Sequence, residues 1–207
     1  MDLLIATSNP GKLREFRDLL ASTNKFTFRS LADFPPISPP EETGDTFRAN
    51  AMLKATAYAI ANNCWTLADD SGLEVDALDN KPGVHSARWA QMHNAGQGDA
   101  ANNALLLKQL RQVAPAQRTA RFVCVLALAD PKGRIALTTR ATVEGRLLSN
   151  AVGDNGFGYD PLFFVDQLGK TTAQLPAEQK HAISHRGQAT RQLAAMLSEL
   201  DLSQPKP

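Results

Sequence analysis

The chain reads as an α/β protein built on a mixed β-sheet flanked by helices. Three observations predict this. Short apolar runs of strand length alternate with segments whose apolar residues recur at helical spacing. The two longest strand candidates, 121–128 and 134–148, follow one another across Asp130-Pro131-Lys132-Gly133, which predicts an antiparallel hairpin. No internal repeat or linker interrupts the 207 residues. One α/β unit follows, spanning 1–207 and either undivided or split into two lobes around a cleft.

The first strand is expected at Leu3 to Ala6. It breaks at Ser8-Asn9-Pro10-Gly11, and from Lys12 the residues Leu13, Phe16, Leu19 and Leu20 mark an amphipathic helix. Phe26 to Leu31 alternates like a strand. Pro35, Pro36, Pro39 and Pro40 exclude regular structure, so Asp33 to Asp45 is a loop. Asp45 or Thr46 can cap the next helix, Phe47 to Ala61, which carries Arg48 and Lys54. Trp65 to Ala68 and Leu73 to Leu78 read as two short strands around an Asp69-Asp70-Ser71-Gly72 turn. Lys81-Pro82-Gly83 is a turn, and Ala100 to Gln112 is a helix. After the hairpin, Asn150 to Tyr159 is a glycine-rich loop and Leu162 to Val165 a strand. Pro176 to Lys180 forms a short helical turn, and Ser184 to Leu200 is an amphipathic helix with Leu193, Met196, Leu197 and Leu200 on its apolar face. Ser203 to Pro207 reads as a frayed tail.

Composition narrows the functional classes. A 43% hydrophobic content supports a sizeable core. The net charge of +1 creates no global field that would select nucleic acid or an acidic membrane, so any anion site must be built locally. No apolar run reaches membrane-spanning length, and the N-terminus lacks a signal pattern. Cys64 and Cys124 sit in apolar surroundings and share no motif, which fits buried free thiols in a reducing cytoplasm.

Four segments carry chemistry. Thr7-Ser8-Asn9-Pro10-Gly11-Lys12 links a buried strand to a helix. Helix-start N–H groups and the Lys12 ammonium would attract an anion, although the segment is not a P-loop, because Leu13 follows the lysine. Asp69 and Adjacent Asp70 have no basic neighbour in sequence. A divalent cation would relieve their repulsion, and Mg²⁺ suits one or two carboxylates plus phosphate oxygens, leaving a carboxylate to deprotonate water. An ordinary acidic turn is the competing reading. Glu41 or Glu42 could add a ligand. Gly156-Phe157-Gly158-Tyr159-Asp160 brings the backbone close to a ligand and offers aromatic rings for stacking on a flat base. Lys180, Ser184, His185 and Arg186 place positive charge near a helix N-terminus, where an anion or another acceptor must compensate it.

Together these segments, with Glu41-Glu42-Thr43-Gly44, Leu53-Lys54-Ala55, Pro82-Gly83-Val84-His85-Ser86-Ala87-Arg88 and Ile183-Ser184-His185-Arg186-Gly187, closely resemble the inosine triphosphate pyrophosphatase family. The likeness runs from about Leu3 to Leu200. It implies Mg²⁺-dependent hydrolysis of ITP, dITP and XTP to the monophosphate and pyrophosphate, in a homodimer. It implies an elongated α/β fold with the active cleft between two lobes. Carried over, the pattern puts Thr7, Ser8, Asn9, Pro10, Gly11 and Lys12 on the triphosphate and Asp70 as general base and metal carboxylate. Asp69 and Glu42 support the metal, and Lys54 and Ser71 contact substrate. Phe157, Gly158, Tyr159, Asp160, Lys180, His185 and Arg186 surround the nucleotide. Ser8 departs from the pattern, since many relatives carry Gly there. The rival readings are a pyrophosphatase for pyrimidine or modified nucleotides and a non-catalytic nucleotide sensor.

Overall fold

Strand β1, Asp2–Ile5, is buried at three of its four positions, as a short apolar run should be when helices cover both sheet faces. The computed structural model describes residues 2–20 and 26–199. Met1, Leu200 and the 203–207 tail lie outside the described residues. Helix α1 spans Pro10–Leu20 and strand β2 Thr27–Ser30. The β2 residues pair in parallel with β1, Leu3 opposite Phe28 and Ile5 opposite Ser30. Helix α2 is Phe47–Asn62. Thr46 caps it by accepting the Ala49 N–H, and Asn63 closes it in the left-handed region.

Strand β3 runs Trp65–Val75 and pairs in parallel with β1. After it come β4 (Lys81–Pro82), helix α3 (Trp89–Met92) and helix α4 (Gly98–Gln109). The long strands are β5 (Thr119–Ala129) and β6 (Ile135–Leu147), joined by a tight turn in which Asp130 and Arg134 are hydrogen-bonded. Then follow β7 (Phe163–Val165), β8 (Lys170–Thr171), α5 (Ala177–Ile183) and α6 (His185–Glu199). Among the described residues the sheet has eight strands in the order β2-β1-β3-β5-β6-β7-β8, with β4 on β3. Parallel pairs at β1 and antiparallel pairs at β4, β7 and β8 make it a mixed sheet, as expected.

The chain divides into two compact units. The first takes the described parts of Met1–Asp70 and Arg186–Pro207, with Cys124–Ala141. Its core packs Leu3, Ile5, Phe16, Leu20, Leu67, Leu126, Leu128, Leu193 and Leu197, so the apolar stripes of α1 and α6 cover one sheet face. The second takes Ser71–Val123 and Thr142–His185. Its core packs Leu73, Val75, Leu106, Leu110, Phe122, Leu147, Tyr159, Leu162 and Phe163.

The largest departure from expectation is β3. It passes unbroken through Asp69-Asp70-Ser71-Gly72, where two strands and a turn were expected. Both carboxylates are buried within it, at 3% and 5% exposure, and cations from distant segments make that burial tolerable. Over 83–92, which no sequence periodicity marks, a 3₁₀ segment, Gly83–Arg88, runs into α3. Asn102 of α4 holds it by accepting the Ala90 N–H at 2.8 Å and donating to the Ala87 carbonyl at 3.1 Å.

Candidate active site

Pro10 begins α1 with its ring-fixed φ and no amide hydrogen to leave unpaired. Asn9 precedes it, and its Oδ1 accepts from the N–H groups of Gly11 (2.8 Å) and Lys12 (3.1 Å). Thr7 Oγ1 in turn accepts the Asn9 N–H at 3.2 Å. Two of the amides expected to be open to an anion are therefore capped by Asn9. What the turn offers is the positive end of the α1 dipole, the exposed Ser8 and the Lys12 ammonium. Lys12 Nζ lies 2.8 Å from Asp69 Oδ2.

Successive residues of a strand point to opposite faces, and Asp69 and Asp70 pair with different lysines, Lys12 and Lys54. Asp69 shares the face of Leu67 and faces Lys12 of α1 and, at 3.6 Å, Nη2 of Arg186 in α6. Arg186 also pairs through Nη1 with Glu15 of α1. This answers the positive charge at the α6 N-terminus: the compensating anions are the protein's own carboxylates. Burial alone would raise the Asp69 carboxyl, but Lys12, Arg186 and Lys54 outweigh it and hold it well below the usual carboxylate range.

Asp70 faces α2. Its Oδ1 accepts from Lys54 Nζ at 2.9 Å, and Asn50 Nδ2 stands 3.5 Å from its Oδ2. The same Lys54 ammonium donates to Glu42 Oε1 at 2.8 Å. Here burial wins and the Asp70 carboxyl is raised above its ordinary value, although Lys54 opposes the shift. Lys54 is itself raised, because Asp70, Asp69 and Glu42 outweigh its burial. Adjacent aspartates are thus driven in opposite directions, the pattern expected where one is to be a base and the other a fixed anion.

Among the described residues no group of three or more His, Cys, Asp and Glu side chains is gathered for a metal ion. Of the expected set of Asp69, Asp70 and Glu42, Asp69 faces Lys12 and Arg186. Glu42 Oε1 and Asp70 Oδ1 do converge on one cationic atom, Lys54 Nζ. Two hard carboxylate oxygens around one positive centre fit Mg²⁺, which takes its other ligands from water and phosphate.

In the second unit Asp160 organises the glycine-rich loop. Its Oδ2 accepts the Phe157 N–H at 2.8 Å and the Lys180 ammonium at 2.7 Å, and its Oδ1 accepts the Thr172 hydroxyl at 2.8 Å. Gly156 has φ +81°, and a Cβ there would sit 2.0 Å from Asp160 Oδ2, so only glycine leaves room for that carboxylate. Lys180 Nζ lies 4.9 Å from the Phe157 ring centroid. Tyr159 donates to the Ser86 carbonyl at 2.9 Å, and burial, with the Asp99 charge added, raises its phenol. His185, 7% exposed, stacks on Phe122 at 4.9 Å between ring centroids. Ser71 follows Asp70 on β3 as the first residue of this unit.

A model of the Ham1 family matches residues 3–196. The chain belongs to the Ham1 family. It is 52% identical over 195 residues to a dITP/XTP pyrophosphatase of Exiguobacterium sp., covering 94% of this chain and 96% of that protein. It is 50% identical over 198 residues to a dITP/XTP pyrophosphatase of Listeria monocytogenes, covering 96% and 95%. The Ham1 protein of Staphylococcus aureus has a similar solved structure, with TM-score 0.84 and 40% identity over 96% of this chain and 99% of that one.

Three polar residues of this Ham1 chain escaped the sequence reading. Glu15 sat among the alternating charges of α1, yet it is buried against Arg186. Asn50 joins the Gly44 amide, at 2.8 Å, to Asp70. Thr172 lies between the expected 162–165 strand and 176–180 turn and accompanies Asp160. The signal for Asn50 was present: a polar residue four positions before Lys54 shares its helix face. Glu15 and Thr172 gave no local signal.

Proposed function

We propose that this chain is a dITP/XTP pyrophosphatase, hydrolysing non-standard purine nucleoside triphosphates to the monophosphate and pyrophosphate. The observation that carries this reading is the convergence of Glu42 and Asp70 on Lys54, beside an Asp70 carboxyl raised by burial, in a chain half identical to proteins of that name. The family model spans residues of both units, which supports one enzyme domain.

Mg²⁺, held by Glu42 and Asp70 with phosphate oxygens, would neutralise charge on the polyphosphate. Lys12 and the positive end of α1, with Thr7, Ser8, Asn9, Pro10 and Gly11 forming the turn, bind the triphosphate. Lys12 leaves Asp69 for the phosphates without stranding that carboxylate, because Arg186 still faces it. Asp70 is the general base. Its Oδ1 is turned toward Lys54 and Glu42, where the metal would be held, so Oδ2 takes the proton of the attacking water. The bond from water oxygen to the α-phosphorus forms, the α–β phosphoanhydride bond breaks, and pyrophosphate leaves. Ser71 contacts the substrate after Asp70, and Asp69 fixes Lys12.

The loop from Phe157 through Gly158 and Tyr159 to Asp160, with Lys180 and His185, recognises the base, while Arg186 stays with Glu15 and Asp69. Phe157 supplies a ring to stack, and lysine only donates hydrogen bonds, which suits a carbonyl at C6 and disfavours the amino group of adenine. Family likeness also supports a homodimer, which light scattering would test. A nucleotide-pool activity and free Cys64 and Cys124 support a cytoplasmic location. Pyrophosphate release from ITP, dITP and XTP by the purified protein tests the reading, and failure to release it overturns the reading.

A further inference from the structure

We propose that Asp99 and Asn103 are positioning residues that hold the Phe157–Asp160 loop in its base-reading shape. The proposal rests on the assignment of that loop to base recognition. Asp99 Oδ2 accepts the Gly158 N–H at 2.6 Å, and Asn103 Nδ2 donates to the Gly158 carbonyl at 2.9 Å. The two residues are one turn apart on α4, so they share a helix face.

Their two targets belong to successive peptide groups. One precedes and the other follows Gly158, whose φ of +64° lies in the left-handed region. Fixing both planes fixes the relative direction of the Phe157 and Tyr159 side chains. The rest of the loop is tied around this point. Asp160 holds the Phe157 amide, Lys180 lies over the Phe157 ring, and Tyr159 is anchored on the Ser86 carbonyl. The left-handed residue between the two rings is held by α4.

A second observation concerns Asn103 itself. Its Oδ1 is buried and has no hydrogen-bond partner among the described residues. A half-satisfied buried amide reduces stability, and an apolar side chain of similar size would avoid that loss. The amide is explained by its Nδ2 grip on Gly158. Asp99, in the first turn of α4, also suits the helix dipole. A purely structural cap would affect stability alone, so the test needs readouts that stability does not move.

The variants are Asp99→Ala, Asp99→Asn and Asn103→Leu in the full chain. Amide exchange at Gly158 is followed by NMR, and KM and kcat are measured with ITP. In Asp99→Ala and Asn103→Leu, Gly158 exchange should accelerate and the ITP KM should rise, each by roughly tenfold or more, with kcat less affected. Asp99→Asn keeps an acceptor for the Gly158 N–H and should recover most of the wild-type KM. If the wild type turns over ITP but its KM is unmoved by faster Gly158 exchange, the positioning role is wrong. Equal losses in kcat and KM that Asp99→Asn does not rescue would also overturn it. A wild type inactive on ITP, dITP and XTP would instead overturn the functional assignment.

Discussion

Lys54 reaches Asp70 from the facing helix, Nζ to Oδ1 at 2.9 Å, with the two side chains only 13% and 8% exposed. Burial raises the carboxyl and the ammonium restrains the rise. The base must be ionised to act, so its pKa sets the acid limb of the activity profile. Lys54→Met removes the restraint. The acid limb of kcat/KM should move to higher pH, by about one unit or more, as expected for losing an opposite charge at this distance. An unmoved limb would separate Lys54 from the base.

Asp70→Asn should lower kcat by about 10²–10⁴-fold, the usual loss for a general base. It should not destabilise the fold at neutral pH. A carboxyl whose pKa is raised on folding stabilises the native state only when protonated, and that contribution is lost as pH rises through the folded value. A neutral amide removes the burden of the buried charge. Thermal unfolding and single-turnover rates measured on the same preparation check both halves.

Asp69→Asn should do the reverse. Its carboxyl is lowered on folding, so its contribution is present above the ordinary value of 3.8 and disappears as pH falls toward the folded value. The variant should lose about 3–5 kcal/mol at pH 7, typical of breaking one side of a buried ion pair. The gap to wild type should narrow in acid. Urea unfolding at several pH values would show whether it does.

The segments that carry the proposed chemistry were legible because they are local motifs. Lys12 follows the first strand, Asp70 ends an apolar run, and Phe157 to Asp160 lie within a glycine-rich stretch. The pairing of these groups was not legible. β3 read as two strands because two buried aspartates look impossible until Lys12, 57 residues away, and Lys54, 16 residues away, are brought to them. Glu15 and Arg186 are separated by 171 positions, and neither segment hints at the other. The Asn9 cap was readable in principle, since Asn before Pro at a helix start is a capping signal. The 83–92 segment is built from short turns whose order depends on Asn102, so no periodicity announced it.

Lys180→Ala should compress base selectivity. Its ammonium bridges Asp160 and the Phe157 ring, beside the proposed base. Buried groups left unpaired by the wrong base can separate substrates by roughly 10⁴–10⁵-fold. The variant should lose kcat/KM on ITP far more than on ATP. Equal proportional losses would place Lys180 on phosphate or ribose.

The most direct test of the account is product analysis with purified protein on ITP, dITP, XTP, GTP and ATP, with Mg²⁺ and with excess EDTA. The account predicts monophosphate and pyrophosphate in equal amounts from ITP, dITP and XTP, little from GTP or ATP, and none in EDTA. Release of inorganic phosphate as the primary product, equal turnover of ATP, or full activity in EDTA would contradict it.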